Sequence, residues 1–408
     1  MRRPLPVRGP HRSQIASGGT LKEPYRIFFP LGIAIGVAGV AIWPLYYFAI
    51  TSGYSGRAHA FIQIEGFIYS FVAGFLLTAI PRFTGTEAPG RRVQLVLAAL
   101  ILTGAVAFDL VSERVGHLAF LAAHAIVVTV AARRFVHRRN PPPETFSLVG
   151  VGLLAGGIAA VLNAGIAWQV FDPAFEVLGK RLLTEGMVLL LALGVGGFLG
   201  PRLTGFAELP NFQQIGPPSR ADVVPRIARN RSPAFAVVGL GILASVIAEY
   251  GFAWRGMAML RAVLASAVIV HTIRPWRLPV TRTTLAWCVW TAMLLLTVGL
   301  WASALAPSYR VDALHIVFLG GFTLLILAVG MRVTLSHGGH SLAAEKRSWV
   351  LRFGAATVLV AMLARLGAPF APQTYFAHLA IAALLWIAGL CAWGSYLIRL
   401  LARPQPRR

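Results

Sequence analysis

Twelve separate apolar runs divide this chain, and no other feature limits its fold as tightly. They lie near residues 27–49, 60–80, 92–111, 115–132, 147–170, 182–200, 233–251, 256–272, 284–305, 312–331, 349–368 and 375–398. A bilayer core of about 30 Å takes about 18–20 helical residues to cross. Hydrocarbon offers the backbone no water, so each run must satisfy its own N–H and C=O groups, and it does so as a helix. The expected fold is an all-α polytopic membrane protein, a single domain of about twelve transmembrane helices over residues 27–400. Basic tails flank it at 1–26 and 401–408. Charged residues make up only 12% of the chain, about half the share usual in soluble domains.

The net charge is +23, which in a soluble protein would point to nucleic acid. No nucleic-acid motif is present, and membrane topology explains the excess better. With the N-terminus placed in the cytoplasm and sides alternating, 29 of the 37 Lys and Arg residues fall on inside segments. The other eight are Arg57, Arg114, Lys180, Arg181, Arg255, Arg261, Arg310 and Arg365. Basic residues favour the cytoplasmic side, so both termini are expected there. Cys288 and Cys391 lie within apolar runs without a CxxC, so no disulfide framework is expected. The absence of a P-loop, and of a GxGxxG after a strand, argues against ATP-driven work.

Two of the runs share a frame. Residues 65–85 read EGFIYSFVAGFLLTAIPRFTG and residues 185–205 read EGMVLLLALGVGGFLGPRLTG, identical at seven of 21 positions without a gap. A looser third copy runs from His315 to Arg332 and Thr334. The offsets of 120 and 130 residues each equal four runs. The chain thus reads as three repeated four-helix units, near 27–132, 147–272 and 284–398, with spans 2, 6 and 10 equivalent.

The seventeen residues between the acid and the arginine rise about 25 Å, nearly the hydrocarbon thickness. One end of the motif (Arg82 and Thr84, Arg202 and Thr204, Arg332 and Thr334) reads as a cytoplasmic anchor, where a cation suits a helix C-terminus. The other end carries Glu65, Glu185 and His315 a few residues inside the outer boundary. Ionisable groups at that depth are costly and mark functional candidates. His59, Gln63, His117, His124, Glu249, Arg261 and Arg365 share the outer half. His59, Gln63, Gly66 and Ser70 form an i, i+4, i+7, i+11 stripe that suits a flat macrocycle. Imidazoles ligate haem iron or copper, and arginines pair with propionates. The same acids and histidines also suit a proton path. His337 and His340, in SHGGH, form a weaker metal candidate on the opposite side, and His11 reads as a solvated tail residue.

Two stretches carry a family resemblance: AHAFIQIEGFIYSFVAGFLLTAIPRFTG, with its GFLLTA-Pro core, and ALHIVFLGGFTLLILAVGMRVTLSHGG, with an early histidine, Arg-Val-Thr and Gly-His. The chain resembles the NnrS family of bacterial membrane proteins, twelve-helix proteins described as containing haem and copper and linked to nitric oxide metabolism and stress. The resemblance implies a multi-pass protein of the bacterial inner membrane. It also implies haem, and more weakly copper, with His59, His315 and His337 at matching positions and a small gas such as nitric oxide as ligand. The family's span 2 usually opens Trp-His-Ala-His-Glu-Met. Here the second histidine and the acid are Phe61 and Ile62. The expectation is an NnrS-like haem protein whose ligands are His59 and His315, with His117, His124, Arg261 and Arg365 as further cofactor contacts. The alternative is a cofactor-free proton-coupled transporter. Neither a catalytic group nor an oligomeric state can be read from the sequence.

Overall fold

The computed structural model describes residues 23–207, 230–254 and 256–402. Most of both basic tails, including His11, and Arg255 lie outside the described residues, as does the loop 208–229. Among the described residues twelve helices are long and apolar enough to cross a membrane, and there is no strand. They are α1 (Tyr25–Tyr47), α2 (Gly56–Thr84), α3 (Arg91–Leu110), α4 (Glu113–Val136), α5 (Phe146–Ala167), α6 (Pro173–Leu203), α7 (Ser232–Phe252), α8 (Gly256–Ile273), α9 (Thr284–Leu305), α10 (Pro307–His337), α11 (Trp349–Phe370) and α12 (Pro372–Ala402).

The packing order follows the chain. α2 is wrapped by α1, α3 and α4; α6 by α5, α7 and α8; α10 by α9, α11 and α12. Contacts of α4 with α5, α8 with α9 and α12 with α1 close the ring. The helices α2, α6 and α10 are therefore interior. In their most apolar stretches 83%, 83% and 72% of residues are buried, against 33–56% in the other nine. Between helices in lipid the hydrophobic effect supplies little, and dispersion plus interhelical hydrogen bonds hold the bundle.

Each interior helix contains a π-helical segment: Ile62–Ile68 in α2, Leu182–Val188 in α6 and Ile316–Thr323 in α10. A π turn adds a residue to the α spiral and rotates the downstream part of the helix, and such turns concentrate at functional sites. The rotation breaks the expected stripe on α2. His59 and Gln63 share one face. Gly66 instead turns toward Ile35 and Ala105, and Ser70 Oγ donates to the Gly66 carbonyl at 2.7 Å. The small-residue platform expected beneath His59 is therefore absent.

The interior helices also run past the ends of their apolar cores, because the Pro-Arg-x-Thr-Gly motif is itself helix. Thr84 Oγ1 donates to Ile80 O and Thr204 Oγ1 to Gly200 O, both at 2.7 Å. Gly85 (φ 67°) and Gly205 (φ 85°) then reverse the chain in the left-handed region that a side chain would resist. The freed threonine carbonyls dock a later connection. Thr84 O accepts from Arg139 and Asn140 N–H, and Thr204 O from Val280 and Thr281 N–H. The motif is thus a helix stop and a loop dock.

Its arginines diverge. Arg82 bonds His337 Nε2 (2.7 Å) and Glu23 (2.9 Å). Arg202 lies over the Phe198 ring and donates to Phe198 O. Arg332 Nη1 reaches both oxygens of Glu345 at 2.9 and 2.8 Å. Burial holds the Glu345 carboxyl above its ordinary range, against the pull of Arg332.

Candidate functional site

The ionisable residues at the end of the bundle that holds Glu65, Glu185 and His315 sort into three groups. The first lines a cavity of about 350 Å³ walled by α1, α2, α10, α11 and α12. Ser55 Oγ caps α2 by accepting from Ala58 N–H at 3.0 Å, which sets His59 in the first helical turn. His59 Nδ1–H donates to Gly39 O at 2.8 Å, and Gln63 Nε2 donates to Gly36 O at 2.9 Å. α2 comes this close because α1 is bare there. A Cβ on Gly39 would stand 2.5 Å from Ile62 Cγ2 and 2.7 Å from Gln63 Nε2.

His315 enters from α10, and its Nδ1–H donates to Val311 O at 2.7 Å. In both rings the carbonyl fixes the tautomer, leaving Nε2 with its lone pair. Neither Nε2 has a hydrogen-bond partner among the described residues. Each imidazole is within electrostatic reach of Arg365, and they are in reach of one another. Arg365, from α11, pairs through Nη1 with Asp312 at 2.6 Å. Trp43, Phe67, Phe318, Tyr375 and Trp386 supply aromatic walls. Thr323 Oγ1 accepts from Trp386 Nε1 and donates to Phe318 O, so it is fully engaged.

The second group is a closed ionic cell around Glu185. One Glu185 oxygen meets Arg261 and the other Arg310, each at 2.6 Å. Glu249 bonds the same two guanidiniums at 2.7 and 2.5 Å, and Arg181 lies 3.3 Å from it. Three arginines thus hold two carboxylates, and Arg310 brings α10 into the α6–α8 group. The charge count puts Arg310 among the outer residues. The structure turns it inward, just ahead of the α10 π turn, a direction that hydropathy alone does not encode.

The third group is sparse. Glu65 is buried with its carboxylate 3.5 Å from His117 Nδ1, at the outer limit of a hydrogen bond. Neither of its oxygens has a better partner among the described residues. His117 sits edge-on between Phe61 and Phe108. Below it, His124 Nε2–H donates to Leu153 O at 2.9 Å, so its Nδ1 accepts the Tyr69 hydroxyl at 3.0 Å.

The sequence candidates therefore divide. His59, Gln63, His315 and Arg365 meet in one cavity. His117 and His124 face α2 from α4, outside that cavity, and His124 has no free nitrogen. Arg261 is consumed by Glu185 and Glu249. His337 lies at the other end of α10 with Arg82 on its Nε2, and His340 Nε2–H donates to Leu400 O. Among the described residues no group of three His, Cys, Asp or Glu could hold a metal ion. Asp312, which orients Arg365, and Trp386 and Thr323, which close the cavity, were not singled out by the sequence. An acid one helical turn before His315 was the available signal for Asp312.

The family described as "NnrS protein" matches residues 20–405. No curated protein matches the chain.

Proposed function

Because the chain belongs to the NnrS family, we propose that it binds haem in the His59–His315 cavity and acts in nitric oxide metabolism or the response to nitrosative stress. The observation that carries this reading is the state of the two imidazoles. Metal-bound histidines usually give their second N–H to a carbonyl or carboxylate, which fixes the tautomer and raises ligand basicity. His59 and His315 both do so, to Gly39 O and Val311 O, and both line one aromatic-walled cavity.

The donor set discriminates between the two metals the family suggests. Haem brings four nitrogens of its own and asks the protein for one or two axial ligands, which two histidines can supply. A copper ion held by protein alone asks for more donors, and no third His, Cys, Asp or Glu stands with these two among the described residues. Two imidazoles with free Nε2 atoms therefore favour haem over a copper ion held by protein alone. Haem would supply an iron that takes a small gas ligand in place of one of its two histidines. His59 and His315 would ligate it, and Arg365, with Nη1 given to Asp312, would offer its remaining N–H groups to a propionate.

The finer topology belongs to the same reading. The helix groups 1–4, 5–8 and 9–12 are three repeat units, supported by the shared motif, the three π turns and the parallel contact pattern. Both termini face the cytoplasm of a bacterial inner membrane, supported by the bias of 29 in 37 basic residues.

The test is spectroscopic. Protein purified after haem-replete expression is expected to show a Soret band that is lost in His59→Ala and His315→Ala, each eluting as a folded species. A colourless wild-type preparation overturns the reading. A second reading, a proton-coupled transporter, draws on the buried Glu65–His117 pair, whose oxygens lack strong partners. It predicts that Glu65→Gln abolishes proton-dependent solute uptake in vesicles, and unchanged uptake sinks it.

A further inference from the structure

A second cavity, of about 100 Å³, lies where α2, α6 and α10 converge. Its wall is wholly apolar: Phe71, Val72 and Phe75 of α2, Leu191, Ala192 and Val195 of α6, and their counterparts on α10, with Phe29 of α1. Contacts tie α6 to α10 beyond one of its ends and α2 to both beyond the other. On one side Arg310 of α10 binds Glu185 of α6. On the other, Phe83 of α2 packs on Phe198 of α6 at 5.0 Å between ring centroids, and Arg82 of α2 binds His337 of α10. The space is a partly open apolar hollow where the three interior helices meet.

Water does not suit it. A buried water needs two to four polar partners, and apolar cavities of about 150 Å³ stay dry and take xenon or benzene. The occupant that fits is small, uncharged and apolar, the class of diatomic gases and xenon, which partition into hydrocarbon rather than water.

The cavity also adjoins the histidine site. Ile68 lines both. On α2 the residues facing the histidine cavity (Gln63, Ile64, Phe67) continue one turn later as those facing the axial one (Phe71, Val72). On α10, Phe318 and Leu319 give way in the same manner to Phe322 and Ile326. We propose that the axial cavity is a binding site for a small apolar gas, and that Ile68 is the partition between it and the histidine cavity. The site stands on its geometry alone. Its service to a haem rests on the preceding proposal.

Xenon tests the site without any haem. In xenon-pressurised protein, a xenon atom is expected among Phe71, Ala192 and Phe322. Ala192→Leu extends a side chain into the hollow and is expected to weaken binding there by at least roughly tenfold while the protein remains folded. Ile68→Ala removes the partition and is expected to speed xenon exchange between the cavities, read by ¹²⁹Xe exchange spectroscopy. An axial cavity without xenon, one filled by a lipid or detergent chain, or binding indifferent to Ala192→Leu overturns the site. Exchange unchanged in Ile68→Ala overturns the partition. A colourless protein that binds xenon on the axis refutes the haem proposal and leaves this one standing.

Discussion

Glu65 and Glu185 occupy the same place in the repeated motif, yet removing their charges is expected to have opposite consequences. Glu185 has an arginine at 2.6 Å on each oxygen. At an effective dielectric of about 20, each such contact is worth about 6 kcal/mol before desolvation. Taking an ion out of water costs several kcal/mol, so the net contribution is far smaller than the gross. Breaking the pair nevertheless strands the partners. Glu185→Gln leaves Arg181, Arg261 and Arg310 sharing Glu249 alone, and turns an amide donor toward a guanidinium donor. The expected loss is about 3–5 kcal/mol, the range for removing one member of a buried pair. Because the cell is buried, the loss should depend little on salt.

Glu65→Gln removes a carboxylate whose ion-pair partner among the described residues is His117 Nδ1 at 3.5 Å, and no arginine is left unpaired. Its expected effect is within about 1 kcal/mol, or a gain, since a buried charge without a close partner is costly. Equilibrium unfolding of both variants in mixed detergent and denaturant micelles measures the difference. Equal losses, or a larger loss for Glu65→Gln, would refute the assignment of Glu185 as a clamp between α6, α8 and α10.

Other substitutions separate the cofactor cavity from its surroundings. His124→Ala leaves the Tyr69 hydroxyl without its partner, so stability should fall by about 1–3 kcal/mol. Haem content per folded protein should not change, and a Soret band lost in this variant would count against His59 and His315 as the ligand pair. Gly39→Ala places a methyl 2.5 Å from Ile62 Cγ2. The overpacking should cost about 1–3 kcal/mol and, by pushing α2 off α1, lower haem occupancy as well as stability in unfolding and absorbance measurements. Arg82→Ala breaks a partly exposed pair with Glu23 and the bond to His337 Nε2, for an expected loss of about 1–2 kcal/mol and an unaltered visible spectrum. Asp312→Asn frees Arg365, and haem extracted by apomyoglobin should leave this variant at a different rate while the protein itself stays folded.

The number and type of the elements were legible in the sequence, because they depend on local quantities. Hydropathy over about 20 residues decides whether a segment can enter hydrocarbon, and backbone satisfaction then makes it a helix. The repeated Glu-Gly and Pro-Arg-x-Thr-Gly frames also pointed to α2 and α6 as special, and both proved interior. His59, His315, Gln63 and Arg365 were named from depth and chemistry, and they share one cavity.

Which partner each buried group took was decided by the tertiary structure. Three π turns rotate the interior helices, so a stripe drawn with α periodicity lost Gly66. The partners lie far along the chain. Arg310 reaches Glu185 from 125 residues away, and Arg82 reaches His337 across 255. The motif therefore put an acid at corresponding depths in α2 and α6, but only the neighbouring helices set whether it met two arginines or a single histidine. A sequence records the cost of burying a charge at its own position. The group that offsets that cost comes from another helix, and its place depends on how the ring closes.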